Sequence, residues 1–150
     1  MTDQTSDDPA FKVFNEIGII AQLATTLFER VMPEGMTLAQ FTVLNHFVRL
    51  GGPRRPSDLA RAFQVTRATM TSTIGKLEAK ALVVVVADDK DGRGRQIAIT
   101  EAGRAMRETC IRALGPALSG LGEEIGSGPF DAVLPHLGVI RAALDRRRPT

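Results

Sequence analysis

The sequence predicts a mainly helical protein with one small β-hairpin, and three observations lead there. Residues 54 to 78 read as two short helices meeting at a tight turn, the second with a small, hydroxyl-rich outer face. A valine run and a charged, glycine-containing tip follow at once, as a wing beside a helix-turn-helix would. Long amphipathic stretches lie on either side, and so small a core offers them no obvious partner. The expected architecture is a winged helix-turn-helix with terminal dimerisation helices.

The first eight residues are polar and acidic, and a loose tail is expected there. From Pro9 to about Val31, Phe11, Phe14, Ile17, Ala21, Ala24, Phe28 and Val31 recur at helical spacing. Met32-Pro33-Glu34-Gly35 ends that helix. Thr37-Leu38-Ala39-Gln40 is then a capping box: the Thr37 hydroxyl can accept from the Gln40 N–H, and the Gln40 side chain can return the bond. Met36 and Phe41 stand where a hydrophobic staple fixes the helix start. Phe41, Leu44, Phe47 and Val48 form the inward face, and Gly51-Gly52-Pro53 stops the helix.

Ser57 is the expected cap of the third helix, with Asp58 favourable in its first turn and Leu59, Ala60 and Phe63 inward. Thr66 caps the fourth, whose inward stripe reads Met70, Ile74, Leu77 and Ala81. Val83–Ala87 and Gln96–Ile99 alternate and pair as strands across a polar connection. Thr100 caps a long helix to about Ile125, which Pro116 is expected to bend because proline lacks an N–H. A last helix carries Val133, Leu134, Leu137, Ile140 and Leu144. Residues 1–8 are thus a tail, 9–35 and 101–150 a helical dimerisation region, and 36–100 the winged helix-turn-helix, all in one integrated domain.

Composition constrains the function. Hydrophobic residues at 43% and charged residues at 24% are ordinary for a soluble globular protein. With neither Trp nor Tyr, a base-stacking platform is not expected. A lone cysteine cannot form an internal disulfide, no apolar run reaches membrane-spanning length, and the N-terminus has no basic signal region; a cytoplasmic protein without membrane contact is expected. The net charge of +2 is unevenly spread. Residues 54–95 hold nine Lys/Arg against five Asp/Glu, and the remainder is net negative. A local basic excess on a near-neutral body suits a DNA-reading segment.

The fourth helix carries the functional reading. With Met70 at the centre of the buried side and about 100° per residue, Ala68, Ser72, Gly75 and Ala79 lie opposite. Thr69 and Lys76 fall on one flank, Arg67 and Thr71 on the other. Small central residues allow close approach to bases. Hydroxyls can bond base edges or phosphates, an Ala or Thr methyl can meet a thymine methyl, and Arg67 can reach a guanine or a phosphate. An ordinary surface helix would carry Glu, Lys and Gln here instead of residues that lower helix propensity. In the hairpin tip, Arg93 and Arg95 can lie along a minor groove, with Asp91 orienting Arg93. The candidate DNA-binding set is Ser57, Arg67, Ala68, Thr69, Thr71, Ser72, Lys76, Asp91, Arg93 and Arg95.

Thr37-Leu-x-Gln40-Phe41-x-Val43-Leu44, Leu59-Ala60, Val65-Thr66, Leu77-Glu78-x-Lys80-x-Leu82-Val83, Asp91-x-Arg93 and Thr100-Glu101-x-Gly103 occur in that order. Together they resemble the MarR family of bacterial transcription regulators over about residues 10 to 145. The resemblance implies a homodimer that binds pseudo-palindromic double-stranded DNA, usually a repressor released by a small, often phenolic or anionic, effector. It also implies the roles of Arg93 and its acidic partner Asp91. Gln64 and Ala81 depart from it, standing where the family often has glycine. Alanine at a left-handed helix end costs on the order of 1 kcal/mol relative to glycine.

The remaining candidates are weaker. His46 and His136 have no Cys or carboxylate at ligand spacing, so no metal site is expected. His46 lies near where the resemblance implies an effector pocket, and is the candidate ligand contact beside a plain structural reading. Cys110 sits among apolar neighbours and reads as an inert thiol. No nucleophile with a base, paired acid or phosphate loop can be assembled, so neither catalysis nor a cofactor is expected. The competing reading is a winged-helix protein-interaction module without DNA binding.

Overall fold

The computed structural model describes residues 4–87 and 94–149. Its elements run α1 (Pro9–Val31), α2 (Leu38–Leu50), α3 (Pro56–Phe63), α4 (Arg67–Ala79), β1 (Val83–Ala87), β2 (Arg95–Ile99), α5 (Glu101–Ile125) and α6 (Gly128–Asp145). The chain divides into two compact units, Met1–Leu114 and Gly115–Thr150, with the boundary inside α5.

Local chemistry accounts for most element boundaries in the first unit. Ahead of α1, Gln4–Asp7 forms a 3-10 turn where a loose tail was expected, and the Asp8 carboxylate accepts from the Ala10 N–H at 2.8 Å. The helix starts there because Pro9 supplies a preset φ and has no N–H to leave unpaired. Thr37 caps α2 by accepting from the Gln40 N–H at 3.2 Å, and Met36 and Phe41 both enter the core. The reciprocal half of the capping box does not form: the Gln40 side chain turns inward and accepts from Lys80 Nζ at 2.7 Å. Instead Glu29 of α1 takes the Leu38 N–H at 3.0 Å, satisfying another donor of the α2 start.

Ser57 does not cap α3. Arg55 occupies the N-cap position and its side chain does not cap the helix, and Pro56 takes the first helical position, so Ser57 falls one residue inside and is half-buried. The preference of proline for that first position outweighs the capping preference of serine. Helix α3 ends at Gln64, which adopts φ 53°, and its side-chain Nε2 donates to the Arg61 carbonyl at 2.7 Å. Thr66 then caps α4, accepting from the Thr69 N–H at 3.1 Å.

Met70, Ile74 and Leu77 form the buried stripe of α4, as the periodicity predicts. Ala81 does not belong to it. The helix has ended, and Ala81 is exposed at φ 58°, with the Leu82 N–H returning to the Leu77 carbonyl at 3.0 Å. Both positions where the sequence lacks glycine therefore keep the left-handed turn.

Strands β1 and β2 pair antiparallel in the register Val83↔Ile99 and Val85↔Ile97, with Val83 and Ile97 buried. Arg54 adds a one-residue bridge to Ile97, its N–H donating at 2.9 Å and its carbonyl accepting at 2.7 Å. That bridge fixes the start of α3 to the hairpin, and nothing in the local sequence signals it. At the start of α5, the Thr100 hydroxyl donates to the Ala81 carbonyl at 2.7 Å and accepts from the Gly103 N–H at 3.0 Å. A Cβ on Gly103 would lie 2.1 Å from the Leu82 carbonyl oxygen, so this close approach admits only glycine.

The core of the first unit gathers Val43, Leu44 and Phe47 of α2, Leu59 of α3, Leu77 of α4 and Cys110 of α5, all essentially inaccessible. Helix α1 contributes no buried residue, and Phe11, Phe14, Ile20 and Leu23 are exposed along it. In the second unit α6 likewise buries nothing: Phe130, Val133, Leu134, Val139 and Leu144 are exposed. Both stretches of α5 are continuous helix through Pro116.

Candidate nucleic-acid interface

Helix α4 presents the face that its periodicity predicts. Ala68, Ser72, Gly75 and Ala79 are exposed on the side away from Met70, Ile74 and Leu77, and Arg67, Thr69, Thr71 and Lys76 are exposed on the flanks. The anchoring residues are at most 5% exposed, so the outer face is carried by a fixed helix. Among the hydroxyls, Thr73 is committed to its own helix, donating to the Thr69 carbonyl at 3.1 Å.

The hairpin lies beside this helix. A cleft of about 220 Å³ separates them, floored by Ile74, Val85 and Ile97 and rimmed by Thr71, Glu78 and Arg95. Arg95, expected in the loop, is instead the first residue of β2, paired opposite Ala87, and its side chain is exposed. A cation anchored on a strand has a narrower reach than one on a loop. Asp91 and Arg93 lie outside the described residues. Ser57, one residue inside α3, is half-buried and closer to the scaffold than the α4 residues.

His46 occupies a different place, on α2 against α3. Its ring lies 5.1 Å from that of Phe63, tilted at 58°, and 6.4 Å edge-on from that of Phe47. Burial, then the charges of Arg54 and Arg49, push its pKa below the ordinary histidine value. A second cleft, of about 360 Å³, is lined by Val48, Glu101, Arg104, Ala105 and Glu108; His46 is not among its residues. Cys110 is fully buried, and burial raises its thiol pKa against the opposing pull of Lys80, as an inert thiol requires. Among the described residues no cluster of His, Cys, Asp or Glu could hold a metal ion. No described helix is long and apolar enough to cross a membrane.

Residues 34–94 match the sequence model of the MarR family. Over 120 residues the chain is 31% identical to the transcriptional activatory protein BadR of Rhodopseudomonas palustris, covering 79% of this chain and 67% of that protein. The chain belongs to the MarR family of transcriptional regulators. Solved structures carry the same fold. The regulator BldR of Sulfolobus solfataricus superposes with a TM-score of 0.78 at 22% identity, over 95% of this chain and 99% of that one. BpsR of Bordetella bronchiseptica gives 0.72 at 23% identity, over 87% and 98%. The residues matched by the family model take in α2, α3, α4 and β1 of this chain.

Sequence reasoning missed two features of the site. Lys80, which counts toward the local basic excess, points away from the α4 face and is bound to the segment before α2. Its sequence signal was its place in the pattern Leu77-Glu78-x-Lys80, which does not say where the side chain goes. The Arg54 bridge to β2 left no signal, because one isolated bridge has no periodicity.

Proposed function

We propose that this MarR-family chain binds pseudo-palindromic duplex DNA as a homodimer, lays α4 in the major groove, and acts as a repressor that a small phenolic or anionic effector releases. The outer face of α4 carries the reading. Four exposed small residues give it low relief, and Arg67, Thr69, Thr71, Ser72 and Lys76 supply the donors and cation contacts that base edges and phosphates accept. Ser57 and Arg95 are assigned phosphate contacts at its margins, and Arg93, oriented by Asp91, a minor-groove contact.

Dimerisation is supported by the apolar side chains exposed along α1 and, separately, along α6. Exposed apolar surface on this scale marks an interaction surface, and a second copy is its simplest cover. Repression needs only tight, specific occupancy of a promoter; the activatory role of BadR is that of BadR. An anionic effector is supported by the surroundings of His46, where two guanidinium groups already act on a half-buried ring. BpsR offers a parallel, since 6-hydroxynicotinic acid regulates its DNA binding. The site of action is the cytoplasm.

The test is a gel-shift with the DNA flanking the chain's own gene, titrated with salt. Retarded, sequence-specific complexes of dimer size are expected, with affinity falling steeply as salt rises. Equal binding to unrelated duplexes, or none at low salt, would leave a protein-interaction module as the better reading.

A further inference from the structure

Lys80 follows the last residue of the recognition helix, where its side chain would be expected to reach for a phosphate. It goes the other way. Its ammonium donates to the Gly35 carbonyl and to Gln40 Oε1, the latter at 2.7 Å, and lies 3.8 Å from Met36 Sδ. All three ammonium donors are thereby directed at the segment that opens α2. Gln40 is 3% exposed, the single buried polar side chain among the described residues, and Lys80 donates to its side chain. A charge-assisted bond to a buried acceptor is among the stronger and more directional contacts a fold contains.

The segment so held is also tied to α1. Glu29 accepts from the Leu38 N–H at 3.0 Å, two residues before Gln40. From the recognition helix, the path of polar contacts therefore runs through Lys80 to Gly35 and Gln40, and at the α2 start meets the contact from α1. The exit of α4 is also held by the backbone N–H groups of Lys80, Ala81 and Leu82, which return to its last turn, by the Thr100 hydroxyl bond to the Ala81 carbonyl and by buried Leu82; the Lys80 side chain adds the tie to the α2 start.

We infer that Lys80 is a positioning residue for DNA recognition, setting the pitch of α4 relative to α1 without touching DNA. This rests on the DNA-binding reading above. In a two-fold dimer the spacing of the two recognition helices must match the spacing of half-sites. A loosened α4 exit would then cost discrimination between spacings more than it costs electrostatic attachment.

The experiment uses a duplex selected by the parent protein from random-sequence DNA, versions with one base pair inserted or removed between half-sites, and an unselected duplex. Lys80→Met keeps the stem and removes the ammonium; Gln40→Met removes the buried acceptor and leaves the charge. Both variants should weaken binding to the selected duplex by about tenfold, the scale of a lost base contact. They should also tolerate altered spacing better than the parent, with unchanged affinity for the unselected duplex and an unchanged salt slope. If Lys80→Met lowers the salt slope by about two units per dimer and weakens all duplexes alike, Lys80 binds phosphate and the inference is wrong. It is also wrong if either variant matches the parent, or if both variants unfold, which would make the contact a folding device. Failure of the parent to select any sequence would instead overturn the DNA-binding reading.

Discussion

The Thr66 hydroxyl accepts the Thr69 backbone N–H at 3.1 Å and donates its own hydrogen to the Thr69 hydroxyl at 2.9 Å. One capping residue thus starts α4 and orients the side chain that stands first on its flank. With its oxygen already accepting, the Thr69 hydroxyl is left to donate, which suits purine N7, guanine O6, thymine O4 or a phosphate oxygen. Thr69→Ala should cost about 1 to 3 kcal/mol on the preferred duplex if the partner is a base edge. Affinities measured on a panel of single-base operator variants distinguish the two partners, because loss of a phosphate contact weakens every sequence equally.

Ala81 holds a left-handed conformation at the α4 exit without the help of a glycine. Ala81→Gly should therefore raise stability by on the order of 1 kcal/mol, read as a higher urea midpoint at unchanged m-value. Gln64→Gly should gain less, because it also loses the side-chain bond to the Arg61 carbonyl.

Gly103 faces the opposite constraint. Its missing Cβ leaves room for the Leu82 carbonyl, and backbone cannot give way as a side chain does. Gly103→Ala should destabilise by about 3 kcal/mol or more, the upper range for overpacking. Wild-type thermal stability in that variant would show that the α5 start sits differently.

The helix-turn-helix was largely legible in the sequence because its signals are local. Thr37, Thr66 and Thr100 announce helix starts, and the Met70, Ile74, Leu77 spacing sets which face of α4 is outward. Ser57 misled because two local preferences compete within two residues, and proline won. Gln40 misled for a different reason: its side chain was needed by Lys80, forty residues on, while Glu29 of α1 took a different donor of the helix start, the Leu38 N–H. Contacts of that range have no periodic signature. The α4 surface residues were legible as a set, since helical geometry places them without tertiary information. Arg95 was not, because strand and loop compete for one residue at the hairpin end.

His46 gives a pH dependence with a definite sign. Its folded pKa lies below the ordinary value of 6.5, so the unfolded chain takes up the proton first as pH falls. Its contribution to stability is present above the unfolded pKa and is lost as pH drops through 6.5 toward the folded value. Unfolding midpoints measured from pH 7.5 to 5 should decline, and His46→Phe should flatten that decline. An identical decline in the variant would place the titrating group elsewhere.

Ser72 stands at the middle of the exposed α4 face, across the helix from Met70, so a charge there touches nothing of the core and, on the proposed reading, meets DNA. The most direct measurement compares parent and Ser72→Glu for binding to a parent-selected duplex at matched salt, with circular dichroism and sedimentation on the same samples. Specific binding should vanish in Ser72→Glu while helicity and dimer mass stay those of the parent. If Ser72→Glu binds the selected duplex as the parent does, α4 does not enter the groove by this face, and the recognition surface has been assigned to the wrong side of the molecule.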